Sequence, residues 1–195
     1  MNPLAITTTP EAIVDDYLGG LAAALGAVSR ADVARAAAIL AESALDGRRV
    51  YTCGNGGSAS TASHMVNDLA KQAAVPGRPR VRAHSLCDSM ALVTAWGNDD
   101  AFSEAFARQL EGAVEAGDVL VAISTSGRSA NVLRAVEVAR DAGAHIIALT
   151  GPDGGPLAGL VDCCIHIPSD DIGQMEDAHL AVNHALAMAV RALLA

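Results

Sequence analysis

Aromatic residues are scarce: Phe, Tyr and Trp together make up 3% of the 195 residues. The core is therefore not built around stacked rings. The apolar share is still 51%, carried mainly by Ala, Val, Leu and Ile. That supply suits closely packed helices over buried parallel strands and argues against a β-sandwich. Positive charge is also short, with 13 Lys and Arg against 22 Asp and Glu and a formal net charge of −9. An acidic chain repels nucleic acid and anionic membranes, so neither is an expected partner. No stretch reaches the ~20 uninterrupted apolar residues of a membrane span. The apolar C-terminal run is broken by His179, Asn183, His184 and Arg191. The start, MNPLAITTTPEAIVDD, has neither a basic n-region nor an apolar h-region, so no secretory signal is expected. Cys53, Cys87, Cys163 and Cys164 form no CxxC pair and read as free thiols of a reducing compartment. A cytoplasmic protein is the expectation.

What is present alternates. The pattern predicts helices over 10–27 and 30–46, with Pro10 at a start, Ser29 as a cap and Asp46–Gly47 as a stop. Strands are predicted over 49–53, 81–86, 118–124, 144–150 and 162–168. Helices are predicted over 59–72, 89–96, 101–116, from about 130 to 142, and from 172 to the end. Cys53, Cys163 and Cys164 fall in these strands, where cysteine acts as a small hydrophobe. Strands that alternate with helices make βαβ units and a parallel sheet. The strands are apolar on both faces, as a doubly covered sheet requires. The expected fold is a three-layer α/β/α sandwich on a five-stranded parallel sheet. Residues 1–195 read as one domain, with 1–47 a leading helical pair. Right-handed crossovers place all strand C-terminal ends on one edge, where ligands bind.

Two polar loops sit at that edge. In Gly54-Asn55-Gly56-Gly57-Ser58 the glycines permit positive φ and close approach of backbone to ligand. Ser124-Thr125-Ser126-Gly127-Arg128-Ser129 offers four hydroxyls and a glycine at a helix start. Neither contains GK[ST] or GxGxxG, so nucleotide binding is not indicated. Taken alone, each loop is also open to reading as an ordinary capped βα turn, the second less readily than the first.

A second constellation is imidazole and carboxylate. His64 and Asp68 are four apart on one predicted helix and share a face. The final helix carries Glu176, Asp177, His179 and His184. Such a set suits zinc or a similar divalent ion, although His–Asp pairs at this spacing are also common as plain surface pairs. Glu176 and His184 are eight residues apart, about 12 Å along the helix axis and roughly 80° around it. Ligands from two subunits are therefore expected to complete one site.

These residues resemble a known family. Cys53-Gly-Asn-Gly-Gly-Ser58 with His64, Asn98-Asp99, Ser124-Thr-Ser-Gly-Arg-Ser129, Leu149-Thr-Gly-Pro-Asp-Gly-Gly155, and Glu176-Asp-Ala-His-Leu180 with His184 are similar to the phosphoheptose isomerases of the sugar-isomerase (SIS) superfamily. The likeness spans nearly the whole chain. It implies an aldose–ketose isomerase that converts sedoheptulose 7-phosphate to D-glycero-D-manno-heptose 7-phosphate through an enediol. It implies a homotetramer with sites between subunits, to which the 1–47 helices contribute. Ser58, Ser124, Thr125, Ser126 and Ser129 would hold the phosphate. Asn55, Gly56, Gly57, Asn98, Asp99 and Glu176 would line the sugar. His64, Asp68, Glu176 and His184 would hold Zn2+ or another divalent metal, with Asp68 and His184 as acid–base groups. The family usually has Glu at Asp68 and Gln at Glu176. Three other readings share these loops: a non-catalytic SIS protein of the replication-initiator-associating type, an isomerase of a different sugar phosphate, and a sugar-phosphate-sensing regulatory domain.

Overall fold

The computed structural model describes residues 9–195. Helix α1 (Pro10–Ala27) starts on Thr9, whose hydroxyl oxygen accepts from the Ala12 N–H at 3.2 Å. Pro10 follows at the first helical position, where a missing N–H costs nothing. Helix α2 (Arg30–Leu45) starts on Ser29 in the same manner and ends at Gly47, which takes φ 69°.

The strands are β1 (Arg49–Cys53), β2 (Arg82–Ser85), β3 (Val119–Ser124), β4 (His145–Thr150) and β5 (Cys163–His166). All pairs are parallel, in the order β2-β1-β3-β4-β5. The remaining helices are α3 (Gly57–Asn67), α4 (Met90–Asp99), α5 (Ala107–Leu110), α6 (Ala130–Asp141), α7 (Gly155–Ala158) and α8 (Ile172–Leu194). Among the described residues, no single helix is long and apolar enough to cross a membrane.

Alternation along the strands divides the core in two. Val50, Val121, Ile123, Ile147 and Leu149 face one cluster with Leu40, Met65, Leu69, Val182 and Leu186 from the α2, α3 and α8 side. Tyr51, Leu120, Ala122, Ile146 and Ala148 face the other, with Phe106, Leu110, Val132, Val136 and Leu157. A period-two pattern with both faces apolar can be satisfied only by helices on each side. The buried Asp118 carboxylate fastens the sheet's starting edge. It accepts from the Arg49 N–H at 2.8 Å and the Glu115 N–H at 2.9 Å.

Two expected helices differ. The predicted helix over 101–116 breaks into a 3₁₀ turn at Phe102–Glu104, the one-turn α5, and a turn at Gly112 with φ 74°, a value outside the helical region. Burial of Phe106 and Leu110 outweighs helical continuity there. The predicted helix over 59–72 changes pitch at Asp68 and ends in a π turn, Asp68–Gln72, with the Ala73 N–H donating to the Asp68 carbonyl at 2.9 Å.

The last helix is pinned to the sheet by His179. Its Nε2 lies 3.2 Å from the Thr150 carbonyl oxygen at the end of β4. A carbonyl only accepts, so Nε2 carries the proton and Nδ1 is left a bare acceptor. Nδ1 is buried without a partner. Burial pushes the imidazole pKa down to about 4. The native state therefore refuses a proton that the unfolded chain, near 6.5, accepts. Stability is complete above about pH 6.5 and declines as pH falls toward 4, by up to about 3 kcal/mol. Replacing His179 with Gln should flatten the dependence of urea-unfolding free energy on pH across that window; an unchanged slope would show that another group sets it.

Candidate active site

The two polar loops leave adjacent strands. β1 pairs with β3 in register Cys53↔Ala122, so the turns after Cys53 and Ser124 lie side by side at the carboxyl edge. In the first loop, a Cβ on Gly54 would press on Ser58, and Gly56 takes φ 57° as the cap of α3. In the second, Gly127 takes φ 60°, and a Cβ there would collide with the Gly154 carbonyl. Glycine is required at 127 by both conformation and contact. The Gly127 N–H donates to the Ser124 carbonyl at 3.1 Å, which closes the turn.

The hydroxyls converge. Ser124 is buried, and its Oγ lies 3.2 Å from Ser129 Oγ. Ser129 is the cap residue of α6, yet its side chain makes no bond to the helix. That leaves both a hydroxyl and first-turn N–H groups available to an anion. The Ser126 hydroxyl accepts from the Arg128 N–H at 3.2 Å. Ser58 is buried in the first turn of α3. Arg128 is exposed and pairs with Asp153 at 3.5 Å.

A cluster forms between α3 and α8. His64 Nε2 lies 3.3 Å from Asp68 Oδ2, and His184 Nε2 lies 3.4 Å from the same oxygen. The two Nε2 atoms are 3.1 Å apart. Asp68 is buried, while both imidazoles are partly open to solvent. Asn183 Nδ2 donates to Asp68 Oδ2 at 2.9 Å, and Asn67 Nδ2 donates to Oδ1 at 3.2 Å. Amide donors on both oxygens fix the carboxylate's orientation.

The donor set fits a metal ion. Zinc bonds nitrogen and oxygen at about 2.0–2.2 Å, and tetrahedral geometry then separates neighbouring donors by about 3.3 Å. The three donor atoms here are separated by 3.1, 3.3 and 3.4 Å. They match one face of such a tetrahedron, with a fourth position left for another ligand.

Glu176, counted with these ligands from the sequence, lies outside the group. It is two helical turns from His184, and its carboxylate sits against Gly57, where a Cβ would clash with it. Within one chain it faces the first loop instead. Asn98 and Asp99 end α4, are exposed, and bond to each other at 2.7 Å. The structure brings neither to the histidine cluster. Sequence reasoning missed Asn183, whose adjacency to His184 was its one signal. It also missed Asn131, buried two residues beyond Ser129 and bonded to Asn55.

Comparison with known proteins agrees with this fold. The SIS-domain family profile matches residues 16–151. A phosphoheptose isomerase of Rhodospirillum rubrum is 42% identical over 159 residues, covering 79% of this chain and 81% of the relative. The structure of a phosphoheptose isomerase from Francisella tularensis superposes with a TM-score of 0.89 at 31% identity, over 95% of this chain and all of that one. The phosphoheptose isomerase of Neisseria gonorrhoeae gives 0.87 at 30% identity, over 94% of this chain and all of that one. With the parallel sheet, the paired polar loops and the His64–Asp68–His184 cluster in place, the chain belongs to the phosphoheptose isomerase family of SIS-domain proteins.

Proposed function

We propose that this chain isomerises sedoheptulose 7-phosphate to D-glycero-D-manno-heptose 7-phosphate through an enediol. The observation that carries the reading is the meeting of a buried carboxylate and two imidazoles at the end of α3 and on α8, with α3 leaving the first of two adjacent hydroxyl-rich loops.

The phosphate is held by Ser58, Ser124, Thr125, Ser126 and Ser129, with first-turn N–H groups of α3 and α6. No lysine is needed, because hydroxyls and free N–H groups satisfy several oxygens at once. This end orients the sugar chain so that C1 and C2 reach the acid–base groups. Asn55, Gly56, Gly57, Asn98, Asp99 and Glu176 line the sugar. The contact of the Glu176 carboxylate with Gly57 supports its place there.

Asp68 takes a proton from C1 while the His184 imidazolium gives one to the C2 carbonyl oxygen, which forms the enediol. The proton then returns to C2 while the C1 hydroxyl loses its own to His184, leaving the aldose. The amide donors from Asn67 and Asn183 keep Asp68 aimed during both transfers. In the metal-loaded chain His64, Asp68 and His184 would hold a zinc or similar divalent ion, which would supply Lewis-acid polarisation of the two oxygens in place of the proton exchange at His184.

A homotetramer with sites between subunits belongs to the same proposal. Ile13, Val14 and Leu18 on α1, and Met188 and Leu193 on α8, are large apolar side chains left exposed in the single chain. Burying them against further copies of the chain would remove that exposure.

Incubation with sedoheptulose 7-phosphate, followed by NMR of the sugar, should show the aldose accumulating and a chelator slowing it. Asp68→Asn should lower kcat by about 10²–10⁴-fold with phosphate affinity unchanged. Turnover that survives this substitution removes Asp68 as the base. Ser124→Ala should raise KM about tenfold or more, with a smaller effect on kcat, as expected for loss of one hydrogen bond to a charged ligand.

A further inference from the structure

The two anion loops belong to separate βα units, and each could take its own conformation. Beyond the β1–β3 ladder, a side-chain clasp joins them. Asn55 Nδ2 donates to Asn131 Oδ1 at 2.8 Å, and Asn131 Nδ2 donates to Asn55 Oδ1 at 2.8 Å. Asn55 stands in the first loop. Asn131 stands in the first turn of α6, two residues past Ser129, and is 2% exposed. Asn131 Oδ1 also accepts from the Val132 N–H at 3.0 Å, which ties the clasp to the start of α6.

A reciprocal pair of carboxamides is satisfied at one separation and one orientation. A shorter side chain does not reach, and a longer one pushes the loops apart. We propose that Asn131 is a positioning residue that sets the span between the two anion loops, so that one dianionic ester meets both without reorganisation. This rests on the isomerase reading above. Asn131 acts through Asn55 and the α6 terminus and takes no proton. Its effect falls on binding, because loops held at the bound spacing have already lost the freedom that ligand binding would otherwise remove.

The test measures calorimetric affinity of the full chain for inorganic phosphate, together with KM and kcat. Asn131→Ser keeps a hydroxyl acceptor for the Val132 N–H but is too short to reach Asn55. Phosphate Kd and KM should each rise about tenfold, with kcat changed less than about threefold. Asn55→Ser should also weaken phosphate binding, and the double variant should be no weaker than the worse single variant, since either change opens the clasp. If circular dichroism shows that Asn131→Ser does not fold, Asn131→Thr, which fills more of the space, replaces it with the same expectation. Kd and KM within twofold of the parent, or two substitutions whose effects multiply, would overturn the positioning role alone. A parent chain that binds no inorganic phosphate would remove the anion site itself, and the isomerase reading with it.

Discussion

The parallel pairing of β1 with β3 is the constraint from which the site follows. The order β2-β1-β3-β4-β5 reverses direction at this pair. The chain leaves β1 into α3, whose Ala62 and Met65 pack on one face of the sheet. It leaves β3 into α6, whose Val132 and Val136 pack on the other. Two helices departing to opposite faces from neighbouring strands open a crevice at the carboxyl edge. Both polar loops line that crevice.

Helix α8 then ties this edge to the histidine cluster. Three of its residues meet three parts of the domain. Glu176 rests on Gly57 of the first loop, His179 bonds to the end of β4, and His184 meets His64 and Asp68. A rigid helix cannot adjust these contacts independently, so the buried His179 contact also sets where His184 falls. The SIS-domain profile ends at residue 151. Strand β5, helix α8 and the imidazole that completes the cluster thus come from beyond the matched segment.

Asp68 combines departures from regularity with support. It is buried and begins a π turn that ends the preceding helix. Single-turn π segments recur at functional sites because they re-aim side chains at little cost. Two amides hold its carboxylate, and one of them, Asn183, is itself buried with its own oxygen unpartnered. The site spends hydrogen-bonding capacity to keep one acid group in place.

Much of this was legible in the residues. Pro10, Ser29 and Gly47 mark the ends of the leading helices because caps and breakers act through local sterics and hydrogen bonds. Apolar strands alternating with helices dictate a parallel, doubly covered sheet, and loops at the strand ends share one edge as a consequence. The break of the 101–116 helix was not legible, since burial of Phe106 and Leu110 depends on partners distant in the chain. Nor was the absence of Glu176 from the histidine cluster within one chain, beyond the warning of its eight-residue spacing. Sequence by itself determined the fold class and the two polar loops at one sheet edge, because each follows from periodicity or local chemistry. Only the tertiary structure decided which of the candidate side chains converge and which asparagines hold them, because Asn55 with Asn131 and Asp68 with Asn183 are separated by 76 and 115 residues and meet only once the sheet has closed.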